Sequence, residues 1–462
     1  MTQAVNSTGI NSVPKGYKWT EVGVLPDDWV ASPISKNMKL INGFGFKPHQ
    51  WSLHGIPIIR IQNLNSEEAM FNYFEGKVDD KFHVHKGDLL FAWSGSKGSS
   101  FGARIWKGVP AILNQHIFRV VPNANALTPL FSFYILRQVQ EQIEKMAHGF
   151  KSSFVHVKKE DLSSTILPIP PIKEQTAIAN ALSEVDLLLS ELEKLMTKKQ
   201  AIKTATMQQL LTGKTRLPQF AYFNSDELQE GELESKAIHQ TSSLTSSQTT
   251  GTTASQGQKK GTKPCELGEI PEDWEVDKIG SVLSITTGSR NTQDKLSNGQ
   301  YPFFVRSQTI EHINTYSFDG EAVLTAGDGV GTGKIFHYIN GKFDYHQRVY
   351  LMHNFGERID GYYFYIYFSN FFYDRIMSMT AKSSVDSVRR EMIADMLISL
   401  PSKKEQTAIA TILSDMDEEI QALSKRLSKT RQIKQGMMQE LLTGKTRLPF
   451  EKSEVKGEVI NG

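Results

Sequence analysis

The sequence predicts two similar bodies of mixed strands and helices, joined by two long paired helices: a tandem repeat. Three observations carry this reading. A shift of 231 positions, from Lys173 to Lys404, aligns residues 151–218 with 382–449 without a gap. Within 174–218, 25 of the 45 residues are identical across the copies, far above what shared composition produces. Each copy also opens alike, with EVGVLPDDW from Glu21 and ELGEIPEDW from Glu266. Between opening and shared end the copies barely resemble each other.

The division that follows is a tail (1–20), a first body (21–171), a first shared helix (172–218), a linker (219–265), a second body (266–402), a second shared helix (403–449) and a tail (450–462). The linker contains TSSLTSSQTTGTTASQGQKKGTK, with almost no large apolar side chain. Such a stretch cannot bury enough surface to offset its ordering entropy and reads as flexible.

Both shared segments follow chain breakers, LPIPP at 167–171 and SLPS at 399–402. The first then places Ile178, Leu182, Val185, Leu189, Leu192 and Met196 at alternating steps of four and three. The second places Ile409, Leu413, Met416, Ile420, Leu423 and Leu427 at the same offsets. This is a heptad seam, and helices of about 40 residues would run about 60 Å. Packing one rod on the other covers both stripes; the alternative docks each on its own body. The seam weakens at Lys199 and Lys203, and at Thr430 and Lys434.

Each shared segment closes on LLTGKTRLP, at 210–218 and 441–449. A phosphate-binding loop needs an earlier glycine and lies between a strand and a helix. Here the motif ends a helix. Gly213 and Gly444 suit a left-handed cap, and Lys214, Arg216, Lys445 and Arg447 suit the negative end of a helix dipole.

No catalytic constellation emerges. AGDGVGTGK at 326–334 has Asp328 in place of the first glycine and reads as a loop between strands. INGFGF at 41–46 lacks the companion motif of an amino-methyltransferase. LPDDW with Glu75-x-Lys77 could imitate a metal-dependent nuclease, but the acid pair recurs as IPEDW at the second opening and reads as structural. No histidine spacing suggests a metal site, and the single cysteine, Cys265, excludes an internal disulfide. The polar N-terminus, the absence of a long apolar run and the lone cysteine fit a reducing, cytoplasmic location with no membrane span. A formal charge of +2 neither demands nor excludes nucleic acid.

The bodies share a faint skeleton. GIPIIRIQNL (55–64) parallels GQYPFFVRSQTI (299–310), each a strand ending in Arg-x-Gln. Two strand–loop–strand units follow, at 87–106 and 320–336. NQHIFRV (114–120) then parallels YHQRVYL (345–351), and HGFKSSFVHVKKE (148–160) parallels MTAKSSVDSVRRE (379–391). Arg, Gln, Asn and His are side chains that read base edges, and Lys-Ser-Ser suits phosphate. The candidate DNA-contacting set in the first body is Arg60, Gln62, Asn63, Ser96, Lys97, Gln115, His116, Lys151, Ser152 and Ser153. In the second it is Arg290, Arg306, Ser307, Gln308, His346, Gln347, Arg348, Lys382, Ser383 and Ser384. A structural alternative pairs Arg60 and Arg306 with nearby acids and uses the Lys-Ser-Ser units as helix caps. GYYFYIYFSNFFYDRI (361–376) reads as a buried helix.

Taken together, the chain resembles the DNA-specificity subunit of Type I restriction-modification systems. The repeated opening, divergent body and KEQTAIA…LLTGKTRLP segment carry the resemblance across essentially the whole chain. It implies two α/β (α+β) target-recognition domains joined by antiparallel coiled-coil helices, with pseudo-two-fold symmetry. Each domain would read half of a bipartite double-stranded DNA site. The chain itself would be non-catalytic and carry no cofactor or metal. Two modification subunits would use S-adenosylmethionine to methylate adenine, and restriction subunits would bring ATP- and Mg-dependent translocation and cleavage. The long 219–265 linker departs from the family pattern. The rival reading is a coiled-coil protein-interaction scaffold.

Overall fold

A computed structural model describes residues 13–66, 68–146, 154–223, 259–379 and 387–449. Two compact units emerge: one runs to Lys194 and resumes at Lys425, and the other spans Leu195–Ser424. Both boundaries fall inside the long helices, Ile172–Leu211 and Lys403–Leu441, rather than where the repeats begin.

Each body opens with a hairpin, Tyr17–Thr20 against Gly23–Pro26 in the first and Thr262–Cys265 against Gly268–Pro271 in the second. Order therefore reaches into the stretch assigned as the 1–20 tail and into both ends of the 219–265 linker. Besides the second hairpin, Tyr222 bridges to Lys259. Residues 224–258 lie outside the described set. The breaker segments also hold strands: Ile166–Ile169 pairs with Val30–Pro33, and Leu397–Leu400 with Glu275–Lys278. Both residues of ILPI that are fully covered alternate along the strand, as a pairing strand with one buried face requires.

The sheets share one topology. In the second unit six strands run Ser284–Thr287, Val349–His353, Phe318–Ala326, Phe336–Tyr345, Tyr301–Phe304 and Glu311–Ile313 across the sheet. The end of Phe336–Tyr345 pairs parallel with Tyr301–Phe304. The first unit repeats this order in two pieces. Met38–Asn42, Ile117–Pro122, Leu89–Ala92 and Gly102–Ile105 form one; His83–Val84, Ala111–Leu113, Ile56–Ile59 and Asn72–Phe74 form the other. The break falls at Lys107–Pro110, where Gly108 and Pro110 interrupt what is one ten-residue strand in the second unit.

Each sheet packs on a helix, Pro129–Met146 or Gly361–Ser378. The second is the aromatic segment, and Tyr363, Phe364, Phe368 and Phe372 are buried in it as expected. Asp360 caps it by accepting from the Tyr362 and Tyr363 amides at 3.0 and 2.9 Å.

The shared motifs converge on one polar knot in each unit. In the first, the fully buried Glu174 accepts from the Trp29 indole (2.9 Å) and from Arg447 (2.8 and 2.6 Å). Arg447 also grips Asp28 at 2.8 and 2.9 Å. In the second, Glu405 accepts from Trp274 (3.1 Å) and Arg216 (3.0 and 2.5 Å), and Arg216 grips Asp273. Bonding to Glu174 raises the Arg447 pKa against the opposing effect of burial, and Asp28 adds to the rise. Thus Arg216 and Arg447 do more than face a helix dipole: each closes on the opening motif of its unit and on the start of the other long helix. Gly213 (φ 71°) and Gly444 (φ 70°) adopt the expected left-handed cap. A Cβ would also lie 2.3 Å from Pro271 at Gly213, and 2.6 Å from Pro26 at Gly444.

Beside each glutamate, a buried glutamine ties the long helix to the body. Gln175 accepts from the Thr128 amide and donates to the Ala126 and Pro170 carbonyls. Gln406 accepts from the Asp360 amide and donates to the Arg358 and Pro401 carbonyls.

The seam residues divide into two roles. Ile178 and Leu182 join the first core, and Ile409 and Leu413 the second. They dock their helix on its own body, as the alternative reading has it. Val185, Leu189, Met416, Ile420 and Leu423 are half-buried, whereas Leu192 and Leu427 are buried. Within each unit the helix segments run antiparallel. Asp186 pairs with Lys434 and Glu193 with Arg431 in the first; Lys203 pairs with Asp417 and Lys199 with Glu419 in the second. The lysines that interrupt the apolar pattern therefore make cross-helix ion pairs. Asp186–Lys434 and Asp417–Lys203 are the same pair of repeat positions with the partners exchanged.

Candidate nucleic-acid interface

In each unit several of the described candidates stand on loops at the ends of the central strands, and a glycine lets two of these loops approach closely. Gly43 and Gly288 follow equivalent strands. A Cβ on either would meet the Asn114 or Tyr345 carbonyl oxygen at 2.1 Å. The INGFGF segment thus serves backbone contact.

Backbone bonds then match the edges residue by residue. Trp93 N donates to the His116 carbonyl, and Val157 N to that of Trp93. Gly327 N donates to the Arg348 carbonyl, and Val388 N to that of Gly327. Trp93 therefore corresponds to Gly327, Ser94 to Asp328, Asn114 to His346, Gln115 to Gln347 and His116 to Arg348.

In the first unit Arg60 lies 4.6 Å over the Trp51 ring and donates to Asn72 Oδ1 at 2.7 Å. Its partner is an amide, so the expectation of a nearby acid fails for this residue. Gln62 is exposed and donates to the Met70 carbonyl at 3.1 Å. Asn63 must be corrected as a DNA contact. It is 7% exposed, accepts from the Arg60 amide, and donates to the Ala69 and Met70 carbonyls. Both amide protons and one Oδ1 lone pair are used inside the fold. Gln115 is exposed beside His116, with their side-chain nitrogens 3.3 Å apart. Trp93 holds His116 and His156 at 5.2 and 5.0 Å between ring centroids. The carbonyl of Ser96 accepts three amides of the Gly/Ser loop, and Lys97 is half-buried. Phe154–His156 pairs with Ser94–Ser96. Lys151, Ser152 and Ser153, just before it, lie outside the described residues, as do Lys382, Ser383 and Ser384.

At matched positions the second unit carries Arg348 where the first carries the His116 ring, and Gly327 where it carries Trp93; each unit has an arginine past the equivalent strand, Arg60 or Arg306. Arg306 donates to Asp328 Oδ1 at 2.7 Å, so here the expected acid is present. Arg348 Nε lies 3.8 Å from Asp328 Oδ2. Arg290 donates at 3.0 Å to the fully buried Asp344, which also accepts from Thr315 and Ser317. Burial alone would raise the Asp344 pKa, but the bonds from Ser317, Thr315 and Arg290 together hold the carboxyl below its ordinary value. Gln308 and Gln347 are exposed, and Gln347 donates to Asn291 at 2.8 Å. The Ser307 hydroxyl accepts from the Thr309 amide. His346 needs correction: it is 4% exposed, and its Nδ1 accepts from the Arg348 amide at 2.9 Å. Burial, then the charge of Arg306, lowers its pKa. It shapes the loop rather than facing solvent.

Sequence reasoning misses Trp51, Trp93, His156, Asp328 and Asp344. Asp328 is visible in the sequence only as the residue that spoils a phosphate-loop pattern. Among the described residues no group of three His, Cys, Asp or Glu could hold a metal ion, and no helix is long and apolar enough to cross a membrane.

One frame carrying two unlike polar edges defines a tandem-repeat scaffold that presents two different surfaces. The family model for the Type I restriction modification DNA specificity domain matches residues 26–204 and 271–432, most of both repeats. The putative type I restriction enzyme MjaX specificity subunit of Methanocaldococcus jannaschii is 24% identical over 94% of this chain and 97% of its own length. The EcoDI specificity subunit of Escherichia coli is 30% identical over 38% of each chain. The solved Type I S subunit from M. genitalium superposes with a TM-score of 0.54 at 15% identity, covering 92% of this chain and 97% of that one, which supports the fold. The chain belongs to the Type I restriction-modification DNA specificity family. Its part in such a system is target specificity, with catalysis left to other subunits.

Proposed function

We propose that each body reads one half of a bipartite, asymmetric double-stranded DNA site. The observation that carries this is the matched pair of edges: Trp93, Ser94, Gln115 and His116 stand where Gly327, Asp328, Gln347 and Arg348 stand. Equivalent backbones with different donors and rings suit different base sequences. Arg60, Gln62 and Gln115 in the first body, and Arg306, Gln308, Gln347 and Arg348 in the second, are the contacts we assign near base edges. Lys151 with Ser152 and Ser153, and Lys382 with Ser383 and Ser384, are assigned to phosphate.

The long helices set the half-site spacing and dock two modification subunits. Restriction subunits join through these, and S-adenosylmethionine, ATP and Mg act in those partners. The assembly works in the bacterial cytoplasm. Mapping methylated adenines in a strain carrying the whole system tests the reading. A gapped, asymmetric motif is expected, and exchanging residues 21–150 for another body should change one half only. A continuous or palindromic motif would overturn it. A four-residue helical insertion adds about 6 Å to a rod, and should lengthen the gap between the half-sites.

A further inference from the structure

We propose that Asp328 is a positioning residue for base recognition by the second body: it bonds Arg306 and draws Arg348, from a separate loop, toward the same carboxylate, so that the pair favours one orientation toward a guanine. This deepens the reading above and rests on it.

The carboxylate is held firmly. Gly327 donates to the Arg348 carbonyl at 2.8 Å and accepts from Val388 at 2.7 Å, and Asp328 bridges to Ser387. A Cβ at Gly327 would press on Arg348 O at 3.0 Å and the Tyr350 ring at 3.1 Å, so the backbone lies flat against its neighbours. From this support Oδ1 takes Arg306 Nη1 at 2.7 Å and Oδ2 faces Arg348 Nε at 3.8 Å. At 3.8 Å the Arg348 contact is one of charge rather than a hydrogen bond, and it draws the Nε side toward Asp328 while leaving the Nη fork for another partner. That fork is the part of arginine that bonds guanine O6 and N7 together. The site opens into a cleft of about 520 Å³ lined also by Arg389, Arg390 and Glu391.

Stability is a weak reason for this cluster. The Arg306 and Arg348 side chains are 41% and 67% exposed, and exposed pairs contribute little to folding. On a surface meant for DNA a carboxylate also repels phosphate. Asp328 therefore lowers affinity for any duplex while restricting how two guanidiniums point. This arrangement favours discrimination over strength, and it makes a specific forecast: removing the charge should tighten binding to the wrong DNA.

The test uses the complete complex with its modification subunits, once methylation mapping has defined the site. Binding is measured for wild type and Asp328→Asn on the mapped duplex, on duplexes with each base pair changed, and on scrambled DNA. Asp328→Asn should bind scrambled DNA about two- to tenfold more tightly. Discrimination at one G·C pair should fall about tenfold, within the range for one bidentate contact, with the other half-site unchanged. Arg348→Gln should lose the same base pair, and the double variant should lose no more than the worse single one. Discrimination unchanged in Asp328→Asn, or lost equally in both half-sites, overturns the proposal while leaving the two-reader function intact. A wild-type complex with no sequence preference would defeat the function itself.

Discussion

The two units teach by where they agree. Glu174 with Trp29, Asp28 and Arg447 matches Glu405 with Trp274, Asp273 and Arg216 nearly bond for bond. Elsewhere in each unit the ends of the sheet carry different chemistry, with Trp93 and His116 in one where the other has Gly327 and Arg348. Positions that hold the frame sit in buried networks, where a substitution strands a charge. The exposed positions at the ends of the sheet, such as Gln115, Gln347 and Arg348, face solvent and can change at little cost to the fold.

The sharpest way to break the comparison is at its most similar point. Glu174→Ala and Glu405→Ala should each lower stability by about 3–5 kcal/mol, the usual penalty for unpairing a buried ion pair. Urea titration of both variants checks this, and losses differing severalfold would show that the knots are not equivalent. Gly213→Ala and Gly444→Ala come next, at about 1–3 kcal/mol each, from a left-handed backbone and a Cβ pressed on proline. Paired thermal melts should give the same shift for both.

The edges should respond unequally. Arg306→Ala should cost about 1–3 kcal/mol on the cognate site and relax choice at one base pair. An equal loss on scrambled DNA would assign Arg306 to phosphate or to the fold. Acid should separate the bodies too. Burial lowers the pKa of His337 and His346 in the second. The unfolded chain then takes up protons first, so stability is lost as pH falls below the ordinary histidine value of 6.5. The slope is at most about 1.4 kcal/mol per pH unit for each group. His346→Asn, which installs the residue the first body has as Asn114, should flatten the decline just below pH 6.5 in thermal melts. The smallest effect belongs to the exchanged lysines: Lys203→Ala and Lys434→Ala should each cost about 0.5–1 kcal/mol, less at high salt.

Much of the frame is legible in the sequence because its signals are local. Heptads, breakers and left-handed glycines are written in neighbouring residues, and the long helices begin and end close to where those marks stand. The knots are not legible. Glu174 lies 145 positions from Trp29 and 273 from Arg447, and nothing in DDW, EQ or TGKTR states that they meet. Site residues fail for another reason. Asn63 and His346 are of the type that reads bases, but residue type does not report burial, and both are buried and bonded to neighbouring backbone. The acid expected beside Arg306 is there, yet which acid it is depends on a loop whose strands pair across the sheet.

The first unit is assembled from two distant stretches of chain, and this has a consequence for biosynthesis. Its core contains Met438, Leu441 and Leu442, and its buried Glu174 is neutralised by Arg447. The ribosome makes these residues only after the whole of Leu195–Ser424, which belongs to the other unit. Until then the first unit must wait with an apolar face and a charge uncovered. Such late closure raises the mean sequence separation of native contacts, which slows folding. It also leaves a partly closed intermediate open to aggregation or chaperone capture. The second unit, drawn from one continuous stretch, carries no such delay. Synthesis of the last turns of the second long helix, rather than emergence of the first body, is then the event that completes the first unit.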